Sequence, residues 1–120
     1  MKAIDPGHAY LVNNIDGPDK QLIRFVKRVG PGYPFNQAPE HQGTNCQELL
    51  RVLIDRVAYL DKQIAADENK EILSHLKHAL WLFEARATQR HGLNPPKYTD
   101  DIADRPVCEI CGHIVCGWHE

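Results

Sequence analysis

Residues 44–92 read TNCQELLRVLIDRVAYLDKQIAADENKEILSHLKHALWLFEARATQRHG. Apolar residues recur at 46, 49, 50, 53, 57, 60 and 64, then at 72, 73, 76, 79, 80, 83 and 87. Each series is a stripe with helical period. Thr44 followed by Gln47 has the form of a capping box, in which each side chain satisfies an amide at the helix start. The first helix is therefore expected from Thr44 to about Ile64, roughly 30 Å at 1.5 Å per residue. Asp67 reads as the next N-cap, with Glu68 and Glu71 in the first turn, where the helix dipole favours acids. Arg90 and His91 suit the last turn, Gly92 the C′ position, and Pro95-Pro96 ends the helix. So short a connection predicts an antiparallel hairpin.

Outward from the hairpin, residues 1–43 read as a β-ribbon and a Gly/Pro loop. His8–Val12 is short and apolar, and Leu22–Val29 is longer and rich in β-branched and aromatic residues. Turn formers, Asn13 through Asp19, lie between them. A two-stranded ribbon must pack on something to persist. Residues 30–43 hold Gly30-Pro31-Gly32-Tyr33-Pro34-Phe35-Asn36 and end at Gly43, so neither helix nor central strand is expected there. The aromatics either pin the loop to the core or serve a ligand. Residues 93–106 read as a polar linker and 107–120 as a separate Cys/His tail. The expected class is α+β: an N-terminal β-ribbon, a long two-helix hairpin and a small zinc-binding tail.

Bulk properties bound the function. With 120 residues the chain is long enough for one modest core. Its net charge is −2, but residues 100–120 carry five acids and one base, which leaves the body at +2. A mildly basic body can attract a phosphate ligand, yet it lacks the broad field of a duplex binder. No apolar run reaches a membrane span, and Met1–Gly7 has no apolar core of a secretory signal, so a cytoplasmic location is expected.

Three constellations could carry chemistry. The tail spacing Cys108-x2-Cys111-x4-Cys116-x2-His119 suits tetrahedral zinc. Four donors from one peptide would close the shell, which makes the site structural. His113 could replace His119. An iron–sulfur cluster and a disordered tail with reactive thiols are the alternatives. Glu71, His75 and His78 share a helix face that could bind metal and serve a hydrolase, or could simply be solvated. Arg86 and Arg90, one turn apart, repel each other unless an anion or a carboxylate intervenes. Guanidinium forks match phosphate. Arg56 could join them, or all three could pair with Glu84, Asp55 or Asp61. Gly43-Thr44, at the expected helix start, would expose amides to an anion. With Tyr33, Phe35 and Asn36 in the loop, and Arg24 and Arg28 on the second strand, this set suggests a ligand with phosphates and a flat base. No nucleophile elbow, P-loop, GxGxxG or paired-carboxylate signature occurs, and no enzyme activity is expected.

Apolar residues off the stripes (Val52, Tyr59, Trp81 and Leu82) predict self-association through the hairpin, with a Trp81 packed under the N-terminal loop as the alternative.

The order and spacing of Ile4-Asp5-Pro6-Gly7-His8-x-Tyr10, Asp16-Gly17, Phe25-Val26-Lys27-Arg28, Gly32-Tyr33-Pro34-x-Asn36 and Gly43-Thr44-x2-Gln47-Glu48 resemble the phage Thoeris anti-defence proteins of the first type. Leu53-Ile54-Asp55-Arg56, Glu84-Ala85-Arg86-Ala87 and Arg90-His91-Gly92 extend the resemblance, which covers about residues 4–92. Residues 44–92 are similar to the helical hairpin that family shares with the phage anti-CBASS sponge. The resemblance implies a sponge that binds a cyclic ADP-ribose isomer, and cyclic di- or trinucleotides at further sites, without degrading the signal. It implies homodimers or hexamers built from dimers, in the host cytoplasm. It also implies ligand contacts from the late arginines of the second helix, the Gly43-Thr44 segment and the aromatic loop. The cysteine tail is a departure from the family pattern. The competing class is a zinc-knuckle regulatory protein that binds nucleic acid or a host protein.

Overall fold

A computed structural model describes residues 1–28 and 39–115. The chain divides into two compact units, Met1–Asn45 and Cys46–Glu120.

In the first unit, β1 (Lys2–Asp5), β2 (Ala9–Asn13) and β3 (Lys20–Arg24) form an antiparallel meander in that order. The turn from β1 to β2 needs Gly7, whose φ is +84°. It is closed by the His8 amide, which donates to the Asp5 carbonyl at 2.8 Å. Asp16 takes the left-handed conformation, φ +71°, in the turn between β2 and β3, as short polar side chains tolerate. The expected hairpin is therefore present, with an edge strand added from residues not read as strand. The expected long strand Leu22–Val29 is broken. After Arg24, Phe25 bridges to Thr44, and Lys27–Arg28 (β4) pairs with Pro39–His41 (β5). The end of the Gly/Pro loop is thus a short strand. Tyr33, Phe35 and Asn36 lie outside the described residues.

The second unit is built on α1 (Cys46–Gln63) and α2 (Asp67–Arg90). Leu80 and Ile102 are fully buried and Ile54 nearly so. Leu50, Leu73, Leu76, Trp81, Tyr98, Ala103 and Ile114 pack around them. The α2 stripe supplies Leu73, Leu76 and Leu80 to this core, but the inward face of α1 is Leu50 and Ile54, rotated from the expected stripe, whose Leu53, Leu60 and Ile64 remain exposed. The end of α2 is also as read: Gly92 has φ +70°, and the amides of Gly92 and Leu93 donate to Gln89 and Thr88 at 3.1 and 2.8 Å. That is the double hydrogen bond of a Schellman motif.

Three local expectations fail. Thr44 is not the cap of α1; it lies in extended pairing, its amide donating to Arg24 at 2.8 Å and its carbonyl accepting from Val26 at 3.0 Å. Ala66 rather than Asp67 is the N-cap of α2, without a side-chain cap bond. And residues 93–106 are not a polar linker. They place Tyr98, Ile102 and Ala103 in the core, with Ile102–Asp104 forming a 3₁₀ turn. Nor is Trp81 surplus: its indole donates to the Pro96 carbonyl at 2.7 Å, and its ring meets Tyr98 edge-on at 6.4 Å. Apolar burial outweighed composition here, because a single isoleucine fully removed from water outweighs the polarity of its neighbours.

Candidate functional site

The outer face of α2 carries the strongest candidate. Arg86 is exposed, and its guanidinium carbon lies 4.9 Å from the centroid of the Phe83 ring. Leu82 and Gln89 flank the pair in an open groove of about 540 Å³. Arg90 follows one turn later on the same face and is also exposed. A cation over an aromatic face is a weak but directional attraction. Here it holds the guanidinium against the ring and leaves its donors available. Among the described residues neither arginine has a carboxylate within ion-pair distance. Two of the three carboxylates expected as their partners are engaged elsewhere: Glu84 with Arg51, and Asp61 with the Ala66 amide and the Asn69 side chain.

Arg56 lies in a separate groove of about 600 Å³ on α1, with Val52, Asp55 and Tyr59. Arg24 belongs to the first unit, where its Nη2 donates to the Gln42 carbonyl at 3.3 Å. The Arg28 backbone is in β4, and its side chain lies outside the described residues.

Gly43 and Thr44 lose the basis on which they were expected to hold an anion. With the Thr44 amide bound to Arg24, it is not an open helix-start donor. Gly43 is needed for close backbone approach: a Cβ there would sit 2.3 Å from the Phe25 carbonyl carbon and 2.6 Å from the Val26 nitrogen. Only a residue without a side chain fits such a crossing.

The Glu71, His75, His78 face is dispersed. Glu71 and His75 are 3.7 Å apart and largely exposed. His78 instead turns its Nδ1 to the Ser74 carbonyl at 2.7 Å and stacks on Tyr98 at 4.2 Å. Among the described residues no three His, Cys, Asp or Glu side chains converge as a metal-binding group.

Sequence reasoning missed a polar cluster inside the hairpin. Glu84 is fully buried. Its Oε1 faces Arg51 Nη2 at 3.4 Å, and its Oε2 accepts from the Ile114 amide at 3.1 Å. His113 Nδ1 lies 3.3 Å from the same Oε2 and 3.0 Å from Gln47 Nε2. A protonated Nδ1 serves the carboxylate, and a bare one accepts from Gln47. Arg51 also donates to Glu48 at 2.8 Å, while its buried Nε has no hydrogen-bond partner among the described residues. Nearby, burial holds His91 below the usual histidine range, helped by the charges of His113 and Arg90. The signal for this cluster was present: Glu84 follows Leu80 by four residues, on the core stripe. Gln47 was read as a capping residue instead. Closed to solvent, Glu84 cannot touch a substrate; it organises structure.

In the tail, Cys108 and Cys111 flank a tight reversal, described below. Cys116 and His119 lie outside the described residues. Comparisons with protein-family models, with curated proteins and with solved structures found no match.

Proposed function

We propose that this chain is a non-catalytic sponge that binds and sequesters a cyclic ADP-ribose-type signal, in sites completed by a second copy of the chain. The observation that carries this reading is Arg86 on the Phe83 ring, without a carboxylate partner among the described residues, in an open groove with Arg90 one turn beyond. Guanidinium forks fit the phosphate oxygens of such a ligand. The aromatic and apolar wall suits its base. The groove is shallow, so one chain alone leaves a bound nucleotide half in water. Leu82, at 60% exposure in the groove wall, and Val52 and Tyr59 on α1 offer apolar surface for a second hairpin to cover. The resemblance to the anti-defence family supports the class of ligand.

A sponge competes with an effector, which calls for binding on the order of nanomolar, about −12 kcal/mol. Charge-assisted bonds at roughly 1.5–3 kcal/mol each and stacking at ~1–3 kcal/mol supply part of this. Exclusion of water by the second copy supplies the remainder.

The test is to incubate the purified protein with cyclic ADP-ribose isomers and cyclic di- and trinucleotides, remove what is unbound, denature by heat and identify what is released. Intact ligand, again able to activate its effector, is the expected result. Arg86→Ala or Arg90→Ala weakens binding by about tenfold or more while the oligomer persists. Cleaved ligand would make the protein an enzyme. No binding at micromolar concentration removes the reading, and a steep loss of binding with salt points to nucleic acid instead.

A further inference from the structure

Residues 108–113 form a reversal closed by two backbone hydrogen bonds. The Gly112 amide donates to the Cys108 carbonyl at 2.8 Å, and the Cys108 amide donates to the His113 carbonyl at 3.0 Å. Gly112, immediately after Cys111, has φ +72°, where a side chain would be strained. The first bond makes a single α-turn. One helical turn leaves residues three apart, here Cys108 and Cys111, about 5 Å from Cα to Cα. A disulfide spans roughly 4.4–6.8 Å between Cα atoms. Both cysteines are half-buried thiols. Glu109 and Ile110 between them are exposed, Ile110 at 77%. The tip of the turn is therefore open to a small reagent.

We propose that Cys108 and Cys111 are a reversible dithiol–disulfide pair, closed by a small-molecule disulfide of the glutathione class. One thiol loses its proton and attacks a sulfur of that compound, whose S–S bond breaks and releases one thiolate. The second tail thiol, deprotonated in turn, attacks the mixed disulfide and releases the other thiolate. Two tail thiols are oxidised, one disulfide is reduced, and the two protons end on the two released thiols. Closure acts on the hairpin because the next two residues are anchored in it. His113 Nδ1 and the Ile114 amide both meet the buried Glu84 Oε2, and the Ile114 side chain packs in the core. The turn therefore unfolds together with the helices, and a bond that restricts it in the unfolded chain stabilises them. The closed loop is short, so the gain is small.

The full chain, reduced and then incubated with oxidised glutathione, should lose two hydrogens by intact mass, and peptide mapping should link Cys108 to Cys111. Reduction should restore the original mass. The oxidised form should unfold ~3 °C or more above the reduced form. Cys108→Ser and Cys111→Ser should each abolish closure and leave a glutathione adduct on the remaining thiol. Cys46→Ser, at the exposed start of α1, should leave closure and the temperature rise intact. If a variant does not fold, alkylation of the native chain before and after oxidation, read at each cysteine, decides alone. A link from either thiol to Cys46 or Cys116 overturns the pair, as does an adduct on either thiol of the native chain that never closes. Thiols that react only after a chelator is added are held by a metal, which overturns it too. Closure without a change in unfolding temperature overturns the coupling to the core.

Discussion

Glu84 shows what one residue can carry. It lies on the stripe of α2 that packs inward, and its position four residues after Leu80 requires burial. Its charge is met by Arg51, whose side chain is 14% exposed, and by the Ile114 amide. Truncating one partner of a buried pair leaves the other charged and unsolvated. Glu84→Ala should therefore cost about 3–5 kcal/mol in urea unfolding, and Glu84→Gln, which keeps the shape and an acceptor, about 1–2 kcal/mol. A change under about 0.5 kcal/mol in Glu84→Ala would mean that the cluster contributes nothing. At this scale the sequence was legible where the requirement is local. Gly92 was readable because helix ends need a positive φ. Gly43 was misread because its constraint is the Phe25 backbone, eighteen positions away in the chain.

At the scale of elements, periodicity located both helices to within two residues, since a stripe is a property of neighbouring positions. The connection between them depends on a side chain that periodicity does not mark. Asp61 Oδ1 accepts from the Ala66 amide and from Asn69 Nδ2, each at 3.1 Å. Those two bonds, the Ala66 amide first, lower its pKa from 3.8, with a further contribution from Lys70. The unfolded chain takes up the proton first. The stabilisation is therefore present above about pH 3.8 and is lost as pH falls through the lower folded-state value. Asp5 and Asp101 are lowered as well, so the informative quantity is a difference. The gap in unfolding temperature between the native chain and Asp61→Asn should be constant near neutrality. It should narrow below pH ~3.8; a gap independent of pH would show that the carboxylate does not hold the turn. The segment 93–106 was illegible because polar composition says nothing about which single isoleucine the hairpin needs to close its end.

For the whole molecule, no helix among the described residues is long and apolar enough to cross a membrane. Val52, Tyr59 and Leu82 stay more than half exposed, whereas Trp81 is accounted for inside its own chain; the proposed assembly would cover the first three. Light scattering at micromolar concentration should give a mass above the 13.7 kDa of one chain, and Leu82→Asp should lower it while the helical content holds. A monomer mass for the native chain would remove the assembly that the proposed tight binding requires. The tail, expected to be separate, is tied to the hairpin through Ile114, and the segment before it through Ile102, so removing residues 100–120 would open the core of the second unit.

The sequence by itself determined the α+β class, the two helices, the β2–β3 hairpin and the glycine that ends α2. Each follows from spacing and from backbone conformations that neighbouring residues impose. It also marked Arg86 and Arg90 as one pair, because residues four apart share a helix face. Only the tertiary structure decided which charges find partners. Glu84 pairs with Arg51 of the facing helix, and among the described residues Arg86 and Arg90 have no carboxylate within ion-pair distance. It likewise decided that Thr44 joins a sheet rather than caps a helix, and that Ile102 belongs to the core. The physical reason is the same in each case: burial and pairing are set by atoms distant in the chain, and desolvation makes those distant contacts outweigh the local preference.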